Sequence, residues 1–274
     1  MNTAHVNGVD IQYELTGQGE PMLLIHGSNI ATGLRPLATA LSRSAPSLSL
    51  LRYHRRGMGG STGRGGPFSI EQDAADALGL LDALDLPSAH IAGYSYGATV
   101  AVQTALTAPK RTRSLILLEP ILKQVPSATR FFSGMHHVMD RYSAGDMAGA
   151  VTATFASLGG DNWSELIATA GADAFGAAVR DTEIFYRGER PSLDAWRFDP
   201  DLASAVRAPV LSVLGMRSGP FFTEGRDLIH QHFPQCTDAD IPGVNHLLNL
   251  QAPELIASEV AHFLNEHSLA EKTS

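Results

Sequence analysis

Short apolar runs and segments of helical periodicity alternate along most of this chain of 274 residues. The apolar runs predict strands buried on both faces, and they lie at residues 22–25, 49–53, 90–94, 114–118 and 209–214. Apolar residues at helical spacing predict helices at residues 34–41, 69–84, 98–108 and 253–267. Residues 5–15 alternate around Asn7-Gly8, which is typical of a β-hairpin. The whole pattern predicts an α/β protein with a mostly parallel, twisted sheet and helices on both faces.

The strand and helix alternation stops after Glu119-Pro120 and resumes near residue 209. Residues 121–202 hold helical patches rich in alanine, methionine and aromatic residues, and no strand pattern stands out among them. A segment of roughly 80 residues is too long for a structureless loop in a compact domain. We therefore predict a core domain of residues 1–120 and 203–274 and an inserted helical cap of residues 121–202.

Composition excludes several classes of function. The formal net charge of −8 argues against binding a phosphate backbone, so no nucleic-acid partner is expected. Cys236 is the only cysteine, which excludes an internal disulfide and a cysteine-based metal site. The sequence shows neither a signal-peptide pattern at its start nor the roughly 18 successive apolar residues that a membrane helix needs. We expect a cytoplasmic protein with no membrane partner.

The run Gly93-Tyr94-Ser95-Tyr96-Gly97 lies between a predicted strand and a predicted helix. A Gly-x-Ser-x-Gly sequence in that context is a nucleophile elbow, in which a sharp turn exposes the serine hydroxyl above the sheet. Glycines flank the serine because the turned-back chain leaves no room for side chains beside it. We predict Ser95 as a nucleophile, and the alternative is a glycine-rich turn with an incidental serine.

A serine hydroxyl needs an adjacent base, and the base needs an acid that orients it. His246 lies between the last predicted strand and the last helix, and the loops at such strand ends build the site of an open parallel sheet. We predict His246 as the base. His136 and His137 on the insertion are weaker candidates, and His26 is expected to structure its own loop.

The sequence resembles the α/β-hydrolase superfamily over nearly its whole length. The resemblance is carried by the elbow and by His26-Gly27-Ser28, Arg56-Gly57-Met58-Gly59-Gly60-Ser61 and Gly243-Val244-Asn245-His246 followed by Pro253-Glu254. It implies an α/β-hydrolase fold with a helical cap and a reaction that requires no metal and no organic cofactor. The chain departs from the family at His54, where aspartate is usual, and the change concerns local packing.

The predicted acid is Glu119. The resemblance implies an aspartate in a Gly-x-x-Asp turn after the strand at 209–214, but this chain has Gly215-Met216-Arg217-Ser218 there. Some α/β-hydrolases, including certain haloalkane dehalogenases and the zearalenone lactonases, carry the acid after the strand that follows the elbow helix, which is where Glu119 lies. The order of Ser95, Glu119 and His246 also fits this fold. Asp227 and Glu224 are rivals, and a purely local hydrogen bond is the other interpretation of Glu119.

An oxyanion hole needs two hydrogen-bond donors aimed at the developing negative charge. The backbone N–H of Tyr96 follows the nucleophile and is the first predicted donor. The resemblance implies the N–H of Ser28 as the second, with Gly27 or Asn29 as fallbacks that also contact substrate. Most aromatic residues of the cap should form its own core, and those predicted to contact substrate are Phe131, Met135, His136, Phe155, Trp163 and Tyr186.

Glu119 together with Ser218-Gly219-Pro220-Phe221-Phe222 is similar to the zearalenone lactonase group. The resemblance implies a serine carboxylesterase or lactonase that cleaves a small apolar ester or lactone, a macrolactone such as zearalenone included, through an acyl-enzyme. Two alternatives stay open, namely a C–C bond hydrolase of a diketone and a non-catalytic ligand receptor derived from a hydrolase. A haloalkane dehalogenase is disfavoured because its elbow carries aspartate. The oligomeric state is open, and a homodimer is one option.

Overall fold

The computed structural model describes the backbone of residues 1–271 and the side chains of residues 1–267. The strands are β1 (Asn2–Val6), β2 (Val9–Gly17), β3 (Glu20–Ile25), β4 (Leu48–Tyr53), β5 (Ala89–Tyr94), β6 (Thr112–Leu118), β7 (Val210–Gly215) and β8 (Cys236–Ile241). The helices are α1 (Arg35–Ser44), α2 (Ile70–Ala83), α3 (Tyr96–Thr107), α4 (Ala128–Ser133), α5 (His136–Ser143), α6 (Met147–Gly159), α7 (Trp163–Thr169), α8 (Ala174–Ile184), α9 (Arg190–Ala195), α10 (Pro200–Ala203), α11 (Pro220–His232), α12 (Leu248–Gln251) and α13 (Pro253–Glu271). A short 3-10 turn (Pro109–Arg111) and a π-helical segment (Phe185–Glu189) complete the elements.

The eight strands form one sheet in the order β1-β2-β4-β3-β5-β6-β7-β8. β2 pairs antiparallel with β1 and with β4, and every other pair in the sheet is parallel, as predicted. The predicted hairpin joins β1 to β2, and its turn residues Asn7 and Gly8 have φ of 48° and 78°. Positive φ at both positions is what a tight two-residue hairpin turn requires, and the Asn-Gly pair tolerates it.

The central strands bury both faces, which explains why their sequences are continuous apolar runs. On β3, Leu23 and Ile25 belong to the cluster that contains the buried residues of α2 and α3. Met22 and Leu24 of the same strand belong to a second cluster with the buried residues of α1 and α13. Helices therefore cover both sides of the sheet, and the carboxyl ends of β3, β5, β6 and β7 meet at one edge.

The helices α4 to α10 lie between β6 and β7, and within the described residues 121–202 no strand interrupts them. Val151, Phe155 and Ile167 form a small cluster with Leu247 of the core. The ends of the insertion pack differently, because the residues Ile121, Leu122, Val125, Ala128, Leu193 and Trp196 belong to the main core cluster. The treatment of residues 121–202 as a separate cap remains a proposal. No helix in the described part of the chain is both long and apolar enough to cross a membrane.

Candidate active site

Ser95 lies in a strained turn between β5 and α3. Its φ of 56° and ψ of −121° fall where L-residues other than glycine are rarely found, at a cost of roughly 1–3 kcal/mol. The surrounding backbone holds this conformation. The Ser95 N–H donates to the carbonyl of Leu118 at 2.9 Å, and the Ser95 carbonyl accepts from the N–H groups of Ala98 at 2.9 Å and Thr99 at 3.2 Å. The strain lies at the residue predicted as the nucleophile.

The two glycines of the elbow are required by close backbone approach. A Cβ at Gly93 would lie 2.3 Å from the carbonyl oxygen of Gly97, and a Cβ at Gly97 would lie 2.2 Å from the carbonyl oxygen of Ile25. Both contacts are far inside van der Waals distance and involve main chain, which cannot move aside as a flexible side chain can. The motif is therefore built into the packing of α3 against β3 and β5.

The structure brings Ser95, His246 and Glu119 together in one hydrogen-bonded chain. Nε2 of His246 lies 2.9 Å from Oγ of Ser95, and Nδ1 of His246 lies 2.6 Å from Oε2 of Glu119. All three side chains are buried. The other carboxylate oxygen of Glu119, Oε1, accepts from the N–H of Gly215 at 2.7 Å. The arrangement allows His246 to accept the serine proton while Glu119 stabilises the resulting imidazolium.

The rival acids lie elsewhere. Glu224 accepts a hydrogen bond from the N–H of Ser127 at 2.7 Å, which ties α11 to the start of α4. Asp227 is exposed on α11. Ser218 stands where the family usually has its aspartate, and its buried Oγ has no hydrogen-bond partner among the described residues. The Glu119 carboxylate, bonded to Gly215 at the end of β7, reaches the region that the usual aspartate would serve.

Two aromatic residues fix the position of His246. The ring of Phe222 on α11 stacks on the imidazole with 4.2 Å between centroids and 17° between planes. The hydroxyl of Tyr94 donates to the backbone carbonyl of His246 at 2.7 Å. Neither contact is predicted by the sequence, although Phe222 ends the turn that resembles the lactonase group. No periodic pattern indicates that this phenylalanine covers a histidine 24 residues further along the chain.

The predicted oxyanion residues lie beside the nucleophile. Tyr96 is the first residue of α3, so its N–H has no acceptor inside the helix. The turn after β3 passes so close to the elbow that a Cβ at Gly27 would lie 3.2 Å from Cβ of Ser95. Gly27, Ser28 and Asn29 all line the cavity above Ser95. The geometry suits the Ser28 and Tyr96 donors, and their role in stabilising an oxyanion remains a proposal.

The cavity above Ser95 lies between the core and the inserted helices. Four of the predicted substrate contacts from the insertion line it, namely Phe131, Met135, Phe155 and Tyr186. Nine further apolar side chains line it, namely Ile30, Ile121, Phe132, Val138, Leu158, Phe185, Leu193, Leu247 and Leu250. An apolar wall with few polar groups is typical of a small-molecule site.

The predictions for His136 and Trp163 need correction, because neither residue lines the cavity. His136 begins α5 and is exposed, while Val138 of the same helix faces inward. Trp163 begins α7 and packs between Phe155 and Phe175, at ring-centroid distances of 6.3 Å and 5.7 Å. Trp163 therefore contributes to the core of the inserted segment.

The other histidine candidates have hydrogen-bond partners other than Ser95. His137 is exposed and lies 3.3 Å from the Ser157 hydroxyl. His26 is buried and structures its own loop, as predicted. Its Nε2 accepts from the N–H of Arg55 at 3.0 Å, and its Nδ1 lies 2.7 Å from the carbonyl oxygen of Gly27. Burial and the nearby charge of Arg55 hold the pKa of His26 well below its usual 6.5.

Several polar residues of the cavity were not predicted from the sequence: Lys123, Thr154, Arg190 and Asn249. Arg190 directly follows the π-helical segment. Such an irregular turn has no sequence periodicity from which the orientation of Arg190 toward the cavity could be predicted. Asn249 is three residues beyond His246 in α12, and its side-chain amide donates to the carbonyl of Gly33 at 2.8 Å. These side chains give a mainly apolar cavity a few sites for polar substrate atoms.

One group of possible metal ligands lies on α11 and β8. Ligand atoms of His230, Cys236 and Asp238 lie within 4.8 Å of one another. The guanidinium of Arg226 lies 3.4 Å from the carboxylate of Asp238, and burial raises the pKa of Cys236 to about 12. Both features oppose the thiolate and free carboxylate that a metal centre needs.

Two curated relatives match parts of the chain. A segment of 119 residues is 37% identical to "Putative carbamate hydrolase RutD" of Azorhizobium caulinodans and covers 43% of this chain and 44% of that protein. A segment of 103 residues is 34% identical to the 2-hydroxymuconate semialdehyde hydrolase of Pseudomonas putida and covers 37% of each protein. The chain therefore spans less than half the length of these relatives.

The whole fold matches solved structures. The enol-lactonase of Burkholderia xenovorans LB400 superposes with a TM-score of 0.80 at 22% identity, over 96% of this chain and 100% of the lactonase. At this identity the match shows the fold. The model of the alpha/beta hydrolase family matches residues 22–259, from β3 into α13. Sequence, fold and site geometry agree with that match, and the chain belongs to the alpha/beta hydrolase family.

Proposed function

We propose that this protein is a serine hydrolase that cleaves a carboxylic ester or a lactone of an apolar substrate. The observation that carries the proposal is the buried chain of hydrogen bonds from Glu119 through His246 to Ser95 at the floor of a mainly apolar cavity. Nucleophile, base and acid lie within hydrogen-bond reach in the order that nucleophilic catalysis by serine needs.

The reaction follows from this geometry. Oγ of Ser95 attacks the substrate carbonyl carbon while Nε2 of His246 takes the hydroxyl proton, and Glu119 stabilises the imidazolium. The carbonyl oxygen becomes an oxyanion and accepts from the N–H groups of Ser28 and Tyr96. The tetrahedral intermediate collapses, the C–O bond of the ester breaks, and His246 returns the proton to the leaving alcohol. Water then attacks the acyl-enzyme by the same route and releases the acid and free Ser95.

The substrate class follows from the cavity wall. Aromatic and aliphatic side chains surround Ser95, so an apolar acyl or alcohol group gains contact area there that a small polar ester would not. In a lactone, acyl group and alcohol belong to one molecule, and both must fit the cavity. Macrolactones such as zearalenone belong to this class, which the similarity of Glu119 and the Ser218-to-Phe222 turn to the lactonase group also favours.

A C–C bond hydrolase is the second candidate. The relative from Pseudomonas putida is named as a hydrolase of a semialdehyde, and it is 34% identical over its matched segment. Such a reaction would use the same three residues, and Arg190 in the cavity would suit an acidic substrate. A hydrolysis product without an alcohol would identify this reaction.

The experiment is a hydrolysis screen of the wild type and of Ser95→Ala. The substrates are p-nitrophenyl esters of rising chain length, aromatic esters, resorcylic lactones and a diketone, with product identification by mass spectrometry. We expect turnover of apolar esters or lactones that Ser95→Ala lacks. Labelling with a fluorophosphonate tests separately whether Ser95 is activated. Folded wild type that is neither labelled nor active would contradict the proposal and favour a ligand receptor.

A further inference from the structure

Arg55 is a fully buried cation beside the elbow, and the proposed reaction does not use it. It follows β4, its side chain is 1% exposed, and it carries a guanidinium with five possible donors. Such a group is costly to bury unless every donor has a partner. The partners of Arg55 therefore indicate what the burial achieves.

The first partner is the turn after β3. Nη2 of Arg55 donates to the carbonyl oxygen of Gly27 at 3.1 Å, and Nε donates to the carbonyl oxygen of His26 at 3.1 Å. The Gly27 carbonyl and the Ser28 N–H belong to one planar trans peptide unit, so they point in opposite directions. Holding the carbonyl toward Arg55 aims the Ser28 N–H away from it. A hydrogen bond to the carbonyl also polarises that N–H and makes it a better donor.

The second partner is Tyr96. The Arg55 guanidinium lies 4.4 Å from the centroid of the Tyr96 ring. The Tyr96 hydroxyl donates to Oδ2 of Asp73 at 2.9 Å, and the same oxygen accepts from Nη1 of Arg55 at 3.2 Å. Burial raises the pKa of Asp73 to about 6, while Arg55 and the Tyr96 hydroxyl favour its charged form. Arg55 and Asp73 thus hold the residue that supplies the other backbone donor.

The third partner comes from the inserted segment. Oε1 of Glu189 accepts a hydrogen bond from Nη2 of Arg55, and the Glu189 side chain is 2% exposed. Glu189 ends the π-helical segment Phe185–Glu189. Phe185 and Tyr186 of that segment line the substrate cavity, as does Arg190 directly after it. One buried ion pair therefore joins the cavity wall to the turn after β3, which carries the Gly27 carbonyl and the Ser28 N–H and is called the oxyanion turn below.

We propose that Arg55 is a positioning residue that fixes both backbone donors of the oxyanion hole, and that Glu189 of the inserted segment holds Arg55 in place. The inference rests on the proposed function, since it concerns the same site. Its consequence is a link between the packing of the inserted segment and the stabilisation of the transition state. A purely structural ion pair would affect stability alone.

The test compares Glu189→Gln and Arg55→Lys with the matched control Arg64→Met. Glu189→Gln keeps the shape and one acceptor oxygen but removes the charge. Arg55→Lys keeps the charge but loses the planar fork that reaches four partners. Arg64 also joins a core loop to the inserted segment, through an ion pair of 2.7 Å with Asp181, but it does not contact the oxyanion turn. Its removal controls for the loss of an ion pair as such.

The measurements are kcat, KM and thermal midpoint with the best p-nitrophenyl ester, and the affinity of two inhibitors of matching chain length. An alkyl trifluoromethyl ketone forms an adduct whose oxyanion needs the hole, and the corresponding secondary alcohol does not. Losing one oxyanion donor lowers kcat by a factor of about 10²–10³. We therefore expect kcat to fall about 100-fold in Arg55→Lys and about 10-fold in Glu189→Gln. The ketone should lose affinity by the same factors, while the KM and the affinity for the alcohol change by less than about three-fold.

Arg64→Met should lower the thermal midpoint and keep both kcat and ketone affinity. The inference is overturned if folded Glu189→Gln keeps both kcat and ketone affinity, as Arg64→Met should. Because Glu189→Gln is isosteric, it provides the test even if Arg55→Lys fails to fold. An inactive wild type that no fluorophosphonate labels overturns the proposed function and the inference together. Active wild type with unaffected variants overturns the inference alone.

Discussion

Nδ1 of His246 lies 2.6 Å from Oε2 of Glu119, although 127 positions separate the two residues in the chain. Glu119 directly follows β6, with φ of 49°, and it turns its carboxylate toward the end of the neighbouring strand β7. There the Gly215 N–H binds the second oxygen. The Glu119 carboxylate therefore contacts His246 from the end of β6, whereas the family's usual aspartate would contact it from the turn after β7. Ser218, which lies in that turn, does not orient the histidine.

Removal of the Glu119 charge should stop turnover while the fold persists. Glutamine keeps the size of the side chain and an oxygen that can accept from Gly215, but it cannot stabilise an imidazolium as a carboxylate does. Loss of the charge in such an arrangement costs about 10⁴ in kcat, and we expect at least about 10³ for Glu119→Gln. The measurement is kcat on the best ester, with circular dichroism as a check of folding. Exposed Asp227→Asn serves as the control and should keep its turnover, and near-normal turnover of Glu119→Gln would contradict the assignment.

Phe222 should matter for rate as well as for stability. Its ring stacks on the imidazole of His246 at 4.2 Å, and it is 3% exposed. Phe222→Leu fills most of the space but removes the flat surface, so the imidazole gains freedom to rotate away from Ser95. We expect a loss of about 1 kcal/mol in stability and about 10-fold in kcat, with little change in KM. Phe233→Leu, at a buried phenylalanine that contacts neither His246 nor the cavity, controls for the change in packing. Equal kcat in the two variants would show that the stacking has no role.

The sequence predicted those parts of the molecule that depend on local pattern. Strands buried on both faces are continuous apolar runs, the elbow has its own spacing, and His246 and Glu119 follow strands whose ends meet at one edge of the sheet. The order of the sheet places those ends together, so two residues far apart in sequence become neighbours. Local pattern and topology were sufficient for the strands, the elbow and His246. The choice of Glu119 as the acid also rested on the resemblance to those α/β-hydrolases that carry it after the strand following the elbow helix.

The remaining features depend on tertiary packing that no local pattern encodes. In the sequence, Arg55 is one of several basic residues close together near the end of β4. Only the packed fold brings Asp73 and Glu189 into ion pairs with it. Trp163 and Phe155 are both aromatic residues on inserted helices, but only Phe155 faces the cavity. Short helices such as α7 contain too few turns for periodicity to indicate which face is buried.

The elbow glycines give a direct test of packing. A Cβ at Gly97 would meet the carbonyl oxygens of Ile25 at 2.2 Å and His26 at 2.4 Å, whereas a Cβ at Gly65 would meet no atom within 4 Å. We expect Gly97→Ala to lose several kcal/mol, as over-packing of main chain does, and to lose activity because Ser95 is displaced. Gly65→Ala should stay within about 0.5 kcal/mol of the wild type. Urea unfolding checks both, and a Gly97→Ala variant as stable as Gly65→Ala would show that the elbow packs differently.

The low pKa of His26 should make part of the stability depend on pH. Burial and the charge of Arg55 lower this pKa in the folded protein, while the unfolded chain takes up the proton near pH 6.5. Below pH 6.5 the unfolded state therefore binds more protons, and the free energy of unfolding falls as the pH falls. His26→Gln removes this contribution. Its stability deficit relative to the wild type should be greatest above pH 7 and should narrow below pH 6.5, by at most about 1.4 kcal/mol per pH unit. Urea unfolding of both proteins at pH 7.5, 6.0 and 5.0 measures the difference between their free energies of unfolding. Asp73 is present in both proteins, so its own ionisation largely cancels from this difference. A deficit that stays constant or widens at low pH would mean that the folded protein accommodates a charged His26 beside Arg55.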